Sequence, residues 1–407
     1  MRDDLFHDWN ADGAPARPPW SPELDDETLR DGLQSASAHN PPVERKIEIL
    51  HLVAGLGIGA ADIGMPGAGA LAYEHALRLA REIGGSRLPI VPNCAARAVK
   101  ADIGPVADVQ QAAGVRVEAA IFMGSSRIRQ VVEDWDLGYL LRTTEEAVTF
   151  ARGLGLEVMF VTEDTTRTPP DVIHALYRCA IEHGARRVVI ADTAGQATPA
   201  GVRAIVGFLR RLIEESGEDV KLDWHGHQDR GLAVINAITA FEAGVHRLHG
   251  TAFGIGERCG NCPLDTLLVN LKLLGYVGND LRRLGEYVRT VSAAVGIPVP
   301  ANWPAVGADA FRTATGVHAA TVRKALLSGD TWLANRVYSS VPADEVGGRQ
   351  VIRVGPMSGR SNILFWLEAH SIQPTDALVE AIFRAAKRSD RILTDEDLLA
   401  LTRDARP

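Results

Sequence analysis

Residues 186–227 read RRVVIADTAGQATPAGVRAIVGFLRRLIEESGEDVKLDWHGH, and this stretch decides the fold. RRVVIAD is a short run rich in β-branched residues that ends in a carboxylate. Thr198-Pro199 then puts a capping hydroxyl before proline at a first helical position, and a long helix-forming segment follows. VKLDWHGH (220–227) is the next β-rich run. Strand, helix and strand at this spacing predict a βαβ unit, whose strands lie parallel.

The same rhythm continues in both directions. Upstream lie LDDETL (24–29), AADIGM (60–65), RLPIVPN (87–93), VRVEAAIFM (115–123) and LEVMFVT (156–162), and downstream VHRLHGTAF (245–253). Amphipathic segments separate them; VERKIEILHLVAGL (43–56) places Ile47, Leu50, Val53 and Ala54 on one helical face. Thr143 with Glu146 predicts a capping box before AVTFARGL, and Thr168-Pro169 a second capped proline start. About eight βα units in about 255 residues match a (β/α)8 TIM barrel over 23–280, whereas a doubly wound open sheet normally uses fewer strands. Residues 1–22 read as an N-terminal arm. Residues 281–362 read as a linker subdomain, helical to 325 and then short and rich in Gly, Ser and Val; 363–407 read as a C-terminal helical subdomain.

The 407-residue chain carries 43 Lys plus Arg against 51 Asp plus Glu, a net charge of −8, and is 46% apolar and 23% charged. Such a chain can bury a large core, and its mild acidity argues against unspecific nucleic-acid binding. The N-terminus has acids where a signal peptide needs a basic start, and no stretch of about 18 apolar residues occurs. The expectation is a cytoplasmic enzyme with neither a nucleic acid nor a membrane as partner. Four cysteines are too few for a disulfide scaffold, and the C-x2-C pair Cys259 and Cys262 lacks two further ligands for a zinc knuckle.

In a barrel the catalytic groups project from the C-terminal strand ends. Those ends are polar here: Thr28-Leu29-Arg30-Asp31-Gly32, Asp62-Ile63-Gly64, Thr162-Glu163-Asp164, Asp192-Thr193 and His225-Gly226-His227. His225 and His227 stand two apart, so strand geometry points both imidazoles to one side. Asp31 from another strand end completes a two-His, one-carboxylate face for a metal. The rival reading is a chance H-x-H in a chain of 12 histidines.

DETLRDGLQS (26–35), ADTAGQATP (191–199), HGHQDRGLAVINAITAFEAG (225–244) and GTAFGIGERCGN (250–261) together resemble the metal-dependent acyl-CoA condensing enzymes and lyases typified by isopropylmalate synthase, homocitrate synthase, citramalate synthase and hydroxymethylglutaryl-CoA lyase. TATGVHAATVRKAL (313–326) and GPMSGRSN (355–362) resemble the appended subdomains of the synthase branch. The resemblance implies Asp31, His225 and His227 as ligands of a divalent ion, with Asn261 as a neighbouring fourth; zinc, manganese and magnesium all remain open. Arg30 is then placed to stabilise the alkoxide that develops when a 2-oxo acid is attacked, and Asp62, the acid of the second strand, is a catalytic candidate with it. His318 matches the residue that enters from the neighbouring subunit as base or relay for the acetyl-CoA methyl proton, which implies a homodimer. Tyr338 either positions the thioester carbonyl or packs at an interface. Thr193 resembles the hydroxyl that binds the C1 carboxylate, and Ser126 lies at another strand end. Arg167 either reaches an acidic substrate side chain or pairs with Glu163 or Asp164 as scaffold.

The implied reaction is a Claisen-type condensation of acetyl-CoA with a 2-oxo acid, followed by thioester hydrolysis to a 2-substituted malate and CoA. The alternatives are a carbon-carbon lyase running reverse chemistry and a non-catalytic metabolite-binding barrel. Departures from the synthase pattern are Leu33 and Asp62 where Glu is usual, Gln228 for Asn, His249 where the eighth strand usually carries Glu, and Ala319 or Ala320 in place of an acid behind His318. With the sequence ending at Pro407, feedback through a separate regulatory domain is not expected, and inhibition should compete at the active site.

Overall fold

Eight parallel strands hydrogen-bond in sequence order into a closed barrel: β1 (Glu23–Asp26), β2 (Ala60–Asp62), β3 (Val91–Arg97), β4 (Glu118–Gly124), β5 (Glu157–Glu163), β6 (Arg187–Asp192), β7 (Lys221–Gly226) and β8 (Arg247–Gly250). β8 pairs back onto β1 with Asp25 opposite His249. Helices follow each strand: α1 (Val43–Gly55), α2 (Ala70–Gly85), α3 (Lys100–Ala113), α4 (Arg127–Glu133) with α5 (Leu137–Gly153), α6 (Pro170–Glu182), α7 (Pro199–Ser216), α8 (Ala233–Ala243) and α9 (Leu264–Leu273). This is a (β/α)8 TIM barrel with one extra short helix after β4. The computed structural model describes residues 5–10, 13 and 17–404, so part of the expected N-terminal arm lies outside the described residues. Among the described residues, no helix is long and apolar enough to cross a membrane.

The local chemistry explains β6 and α7. All of β6 is buried, as a parallel strand covered on both faces must be. Thr198 caps α7 by accepting from the Gly201 N–H, Pro199 opens it, and Gly217 closes it in the left-handed region at φ 70°. Val202, Val206, Leu209 and Leu212 form its buried face.

Three local expectations are corrected. α5 begins six residues before Thr143, where Asp136 accepts from the Tyr139 N–H at 2.6 Å, so Thr143 and Glu146 lie inside a helix already started. α6 begins at Pro170, and the Thr168 hydroxyl instead bonds Ser125 and the Asp164 carbonyl. On α1 the buried face carries Val43, Lys46, Ile49, Leu50, Leu52 and Val53, leaving Ile47 and Ala54 half-buried at its margin.

The N-terminal end of the barrel is closed by charge. Arg187 donates to Asp223 at 2.6 Å, Glu23 at 2.9 Å and Glu118 at 3.2 Å, and Arg247 donates to Glu118 at 2.8 Å and Glu23 at 3.3 Å. Above it Ala120, Met159 and Val189 form a small apolar layer that floors the site end.

A second compact unit comprises residues 280–289 and 298–407, while 290–297 belong with the barrel unit. α10 (Leu284–Val295) therefore divides between the two units. β9 (Arg312–Thr313) pairs in parallel with β10 (Val351–Ile352), and the helices are α11 (Gly316–Leu327), α12 (Thr331–Ala334), α13 (Arg360–Ala369), α14 (Asp376–Arg388) and α15 (Asp395–Asp404). The expected helical run from 281 to 325 is interrupted, since Pro298, Pro300 and Pro304 disfavour helix at and before each position. The expected division at 362 runs through a shared core, in which Val354 packs with Ile363, Trp366, Leu367 and Ile382.

Candidate active site

The site is built at the C-terminal strand ends. β7 turns Asp223 and His225 inward, and His227, just beyond the strand, forms an isolated bridge with Asn261. The loop after β8 can bring Asn261 there because two glycines lie in the left-handed region at very close contacts. A Cβ on Gly256 (φ 150°) would overlap the Asn261 amide, and one on Gly260 (φ 92°) would overlap the Gly254 carbonyl. Asn261 Nδ2 donates to Asp31 Oδ1 at 2.9 Å, so the turn after β1 and the loop after β8 meet.

The Nε2 atoms of His225 and His227 face each other at 3.2 Å, and Asp31 lies 3.9 Å from the former. All three residues are buried. Burial and the neighbouring His225 push the His227 pKa down to about 4, which keeps its imidazole neutral with a lone pair to give. Asn261 Oδ1 is buried and has no hydrogen-bond partner among the described residues. An orphaned acceptor beside two imidazole nitrogens and a carboxylate fits a divalent cation, which would supply that oxygen with the partner it lacks.

Glu27 supports this cradle, and sequence reasoning missed it. Its carboxylate meets His225 Nδ1 at 2.6 Å and His249 Nδ1 at 3.0 Å. Burial disfavours its charge, yet the two imidazoles more than offset this and hold it well below the usual carboxylate range. Occupying His225 Nδ1 leaves Nε2 for a metal, the familiar carboxylate–histidine arrangement. His249 continues the chain to Asp223 at 3.2 Å; burial opposes its charge, but Glu27 and Asp223 raise its pKa to about 10. A signal was present: Glu23, Asp25 and Glu27, then Asp223, His225 and His227, then Arg247 and His249, alternate with period two in three strands that adjoin on closure. Glu27→Gln is expected to weaken divalent-cation affinity by roughly 10–100-fold, read by competition with a chelating dye. An unchanged affinity would remove Glu27 from this role.

Arg30 stands beside the cradle, held by Asp62 at 2.6 Å, Asp31 at 2.9 Å and Glu27 at 3.5 Å. Burial raises the Asp62 pKa to about 6, with Arg30 opposing the rise. Asp62, expected as a catalytic acid, is buried, and its carboxylate accepts from the Arg30 guanidinium. Thr193 and Arg258 line the same cavity of about 330 Å³, whose floor includes Ala120, Met159 and Val189. Arg258 is the second residue missed; it is fixed by Asp229 at 2.9 Å and by the Thr193 carbonyl.

Other expected residues fall elsewhere. Ser126 is buried as the N-cap of α4. Arg167 makes a two-pronged pair with Asp164 at 2.7 and 2.8 Å, the scaffold alternative. His318 and Tyr338 belong to the second unit, where both are exposed and their rings stack at 3.9 Å. Cys259 is exposed and Cys262 buried, both as free thiols.

Fold and site together define a TIM-barrel enzyme whose strand ends carry a cation cradle and an adjoining arginine. The chain belongs to the HMGL-like family, whose model matches residues 21–291. Homocitrate synthase from Methanopyrus kandleri is 33% identical over 371 residues, covering 89% of this chain and 86% of that protein. 2-Isopropylmalate synthase from Synechococcus sp. (strain CC9605) is 32% identical over 398 residues, covering 92% of this chain and 71% of that one. Among solved structures, the HMG-CoA lyase of Bacillus subtilis superposes with a TM-score of 0.58 at 19% identity, covering 70% of this chain and 97% of that chain, a likeness of fold.

Proposed function

We propose that this protein condenses acetyl-CoA with a 2-oxo acid and hydrolyses the resulting thioester, releasing a 2-substituted malate and CoA. The observation that carries the reading is the set gathered at one strand-end cavity: half-buried Arg30 and buried Asp31, His225 and His227 line it, and buried Asn261 is bonded to Asp31. A divalent ion held by Asp31, His225, His227 and Asn261 would polarise the keto group of the acid. Arg30 stabilises the negative charge that develops on the keto oxygen during attack, and the carboxylates around it hold the guanidinium in place before reaction, so little reorganisation is required. Thr193 and Arg258 receive the acid's carboxylate. The apolar floor takes its side chain and excludes water.

The enolate needs a base, and His318 is the candidate, with Tyr338 stacked on it to fix the ring. In this reading the protein works in the cytoplasm as a homodimer in which His318 serves the neighbouring copy. The named synthases support the reaction class. The test is release of CoA thiol from acetyl-CoA across a panel of 2-oxo acids with zinc, manganese or magnesium. One acceptor is expected to give metal-dependent release, and none giving it would sink the reading.

A further inference from the structure

Lys46 is a buried cation that takes no part in the chemistry above. It occupies the first turn of α1 on the buried face and is only 6% exposed. Among the described residues its ammonium has neither a hydrogen-bond nor an ion-pair partner, and burial pushes its pKa down to about 8. A buried lysine kept only for packing would be expected to reach a carboxylate or carbonyl, because an unmatched charge is costly. Lys46 instead borders a cavity of about 510 Å³.

Two further features face the same cavity. His75, 8% exposed, likewise has no partner, and burial and Lys46 lower its pKa. The amino end of α2, Ala70 to Ala72, also borders it; Gly69 precedes this helix and offers no side chain to cap its free N–H groups. Among the described residues no acid lines this cavity: Leu33 and Ile63 supply apolar wall, and Glu44, near His75, is exposed and paired with Arg78 at 3.0 Å. Arg30 and Gln34 border both this cavity and the one containing the metal cradle, so the two are neighbours.

We propose that Lys46, His75 and the amino end of α2 form an anion subsite of the active site, which receives a phosphate or carboxylate of a substrate whose reacting end lies at Arg30. The inference rests on the function proposed above. Free amides at an exposed helix start and a partly desolvated ammonium are complementary to an oxyanion, and bonds in which one partner carries charge are the stronger ones. Both implied substrates can supply such a group: the diphosphate of acetyl-CoA, or the distal carboxylate of a dicarboxylic 2-oxo acid.

The test compares the full-length protein with Lys46→Met, which keeps the stem's bulk, Lys46→Arg, which keeps the charge, and Leu33→Glu, which adds an acid to the cavity. Calorimetric titration with inorganic pyrophosphate and with glutarate is expected to show one anion bound about 10-fold or more weakly by Lys46→Met and Leu33→Glu, and nearly normally by Lys46→Arg. If pyrophosphate responds, KM should rise for acetyl-CoA but not for S-acetylpantetheine, which lacks the phosphates. If glutarate responds, KM should rise for 2-oxoglutarate but not for 2-oxoisovalerate. Equal binding of both anions by wild type and Lys46→Met, or no binding of either by wild type, overturns the subsite. The titration does not depend on turnover, so a failed acceptor panel and a failed subsite are told apart. Circular dichroism of each variant checks that the fold is retained.

Discussion

Arg30→Met is expected to lower turnover by about 10²–10³-fold while the barrel stays folded. The guanidinium is fixed from three sides, by Asp62, Asp31 and Glu27, and so presents its charge to the cavity in one orientation. Methionine fills much of the volume but removes the cation shared by Asp62, Asp31 and Glu27; Glu27 keeps His225 and His249, and Asp62 loses its ion-pair partner. Asp62, already raised to about 6 by burial, would take up a proton, which limits the cost to folding. Arg30→Lys should recover only part of the rate, because an ammonium cannot hold Asp62 and Asp31 through a rigid fork. The measurement is kcat from thiol release with the best acceptor, alongside a thermal melt. Full activity in Arg30→Met would remove the residue from the chemistry.

The largest stability loss is expected at the opposite end of the barrel. Arg187→Met should cost about 3–5 kcal/mol, because it breaks a buried pair and leaves a charge behind. Arg187 bonds Asp223, which is wholly buried, and also Glu23 and Glu118. Burial acts to raise the Asp223 pKa, and Arg187 with Arg247 overcomes this to hold it at about 2, so the carboxylate depends on its cations. In a barrel of this size the loss should lower the barrel's melting temperature by roughly 6–20 °C in calorimetry. Arg187→Met with Asp223→Leu should lose less than the two single losses added, since the stranded charge goes with its partner. A melt within a degree of wild type would show that Arg247 alone can close the barrel base.

Much of this architecture was legible in the residues. β6 and β7 read as strands because β-branched and aromatic residues cluster between turn signals, and α7 read as a helix because Thr198, Pro199 and the apolar spacing agreed. The failures have physical reasons. At Thr143 a good capping pattern lies inside a helix whose start is set by Asp136 seven residues earlier. On α1 the apolar pattern favoured Ile47, yet the buried stripe takes in Lys46, because the first turn of that helix borders the cavity that Arg30, Gln34 and His75 also line. Glu27 escaped notice because its partners, His225 and His249, come from the far end of the barrel sequence.

The sequence by itself determined the repeating βα units, the inward parity of His225 and His227, and the polar residues at the strand ends, since these follow from periods of 2 and 3.6 that any local stretch obeys. Only the tertiary structure decided which ends share a cavity. Closure of β8 onto β1 brings Asn261 against Asp31 across 230 positions and puts Glu27 behind His225. Ring closure sets these distances through the register of all eight strands together, and no single segment carries that information.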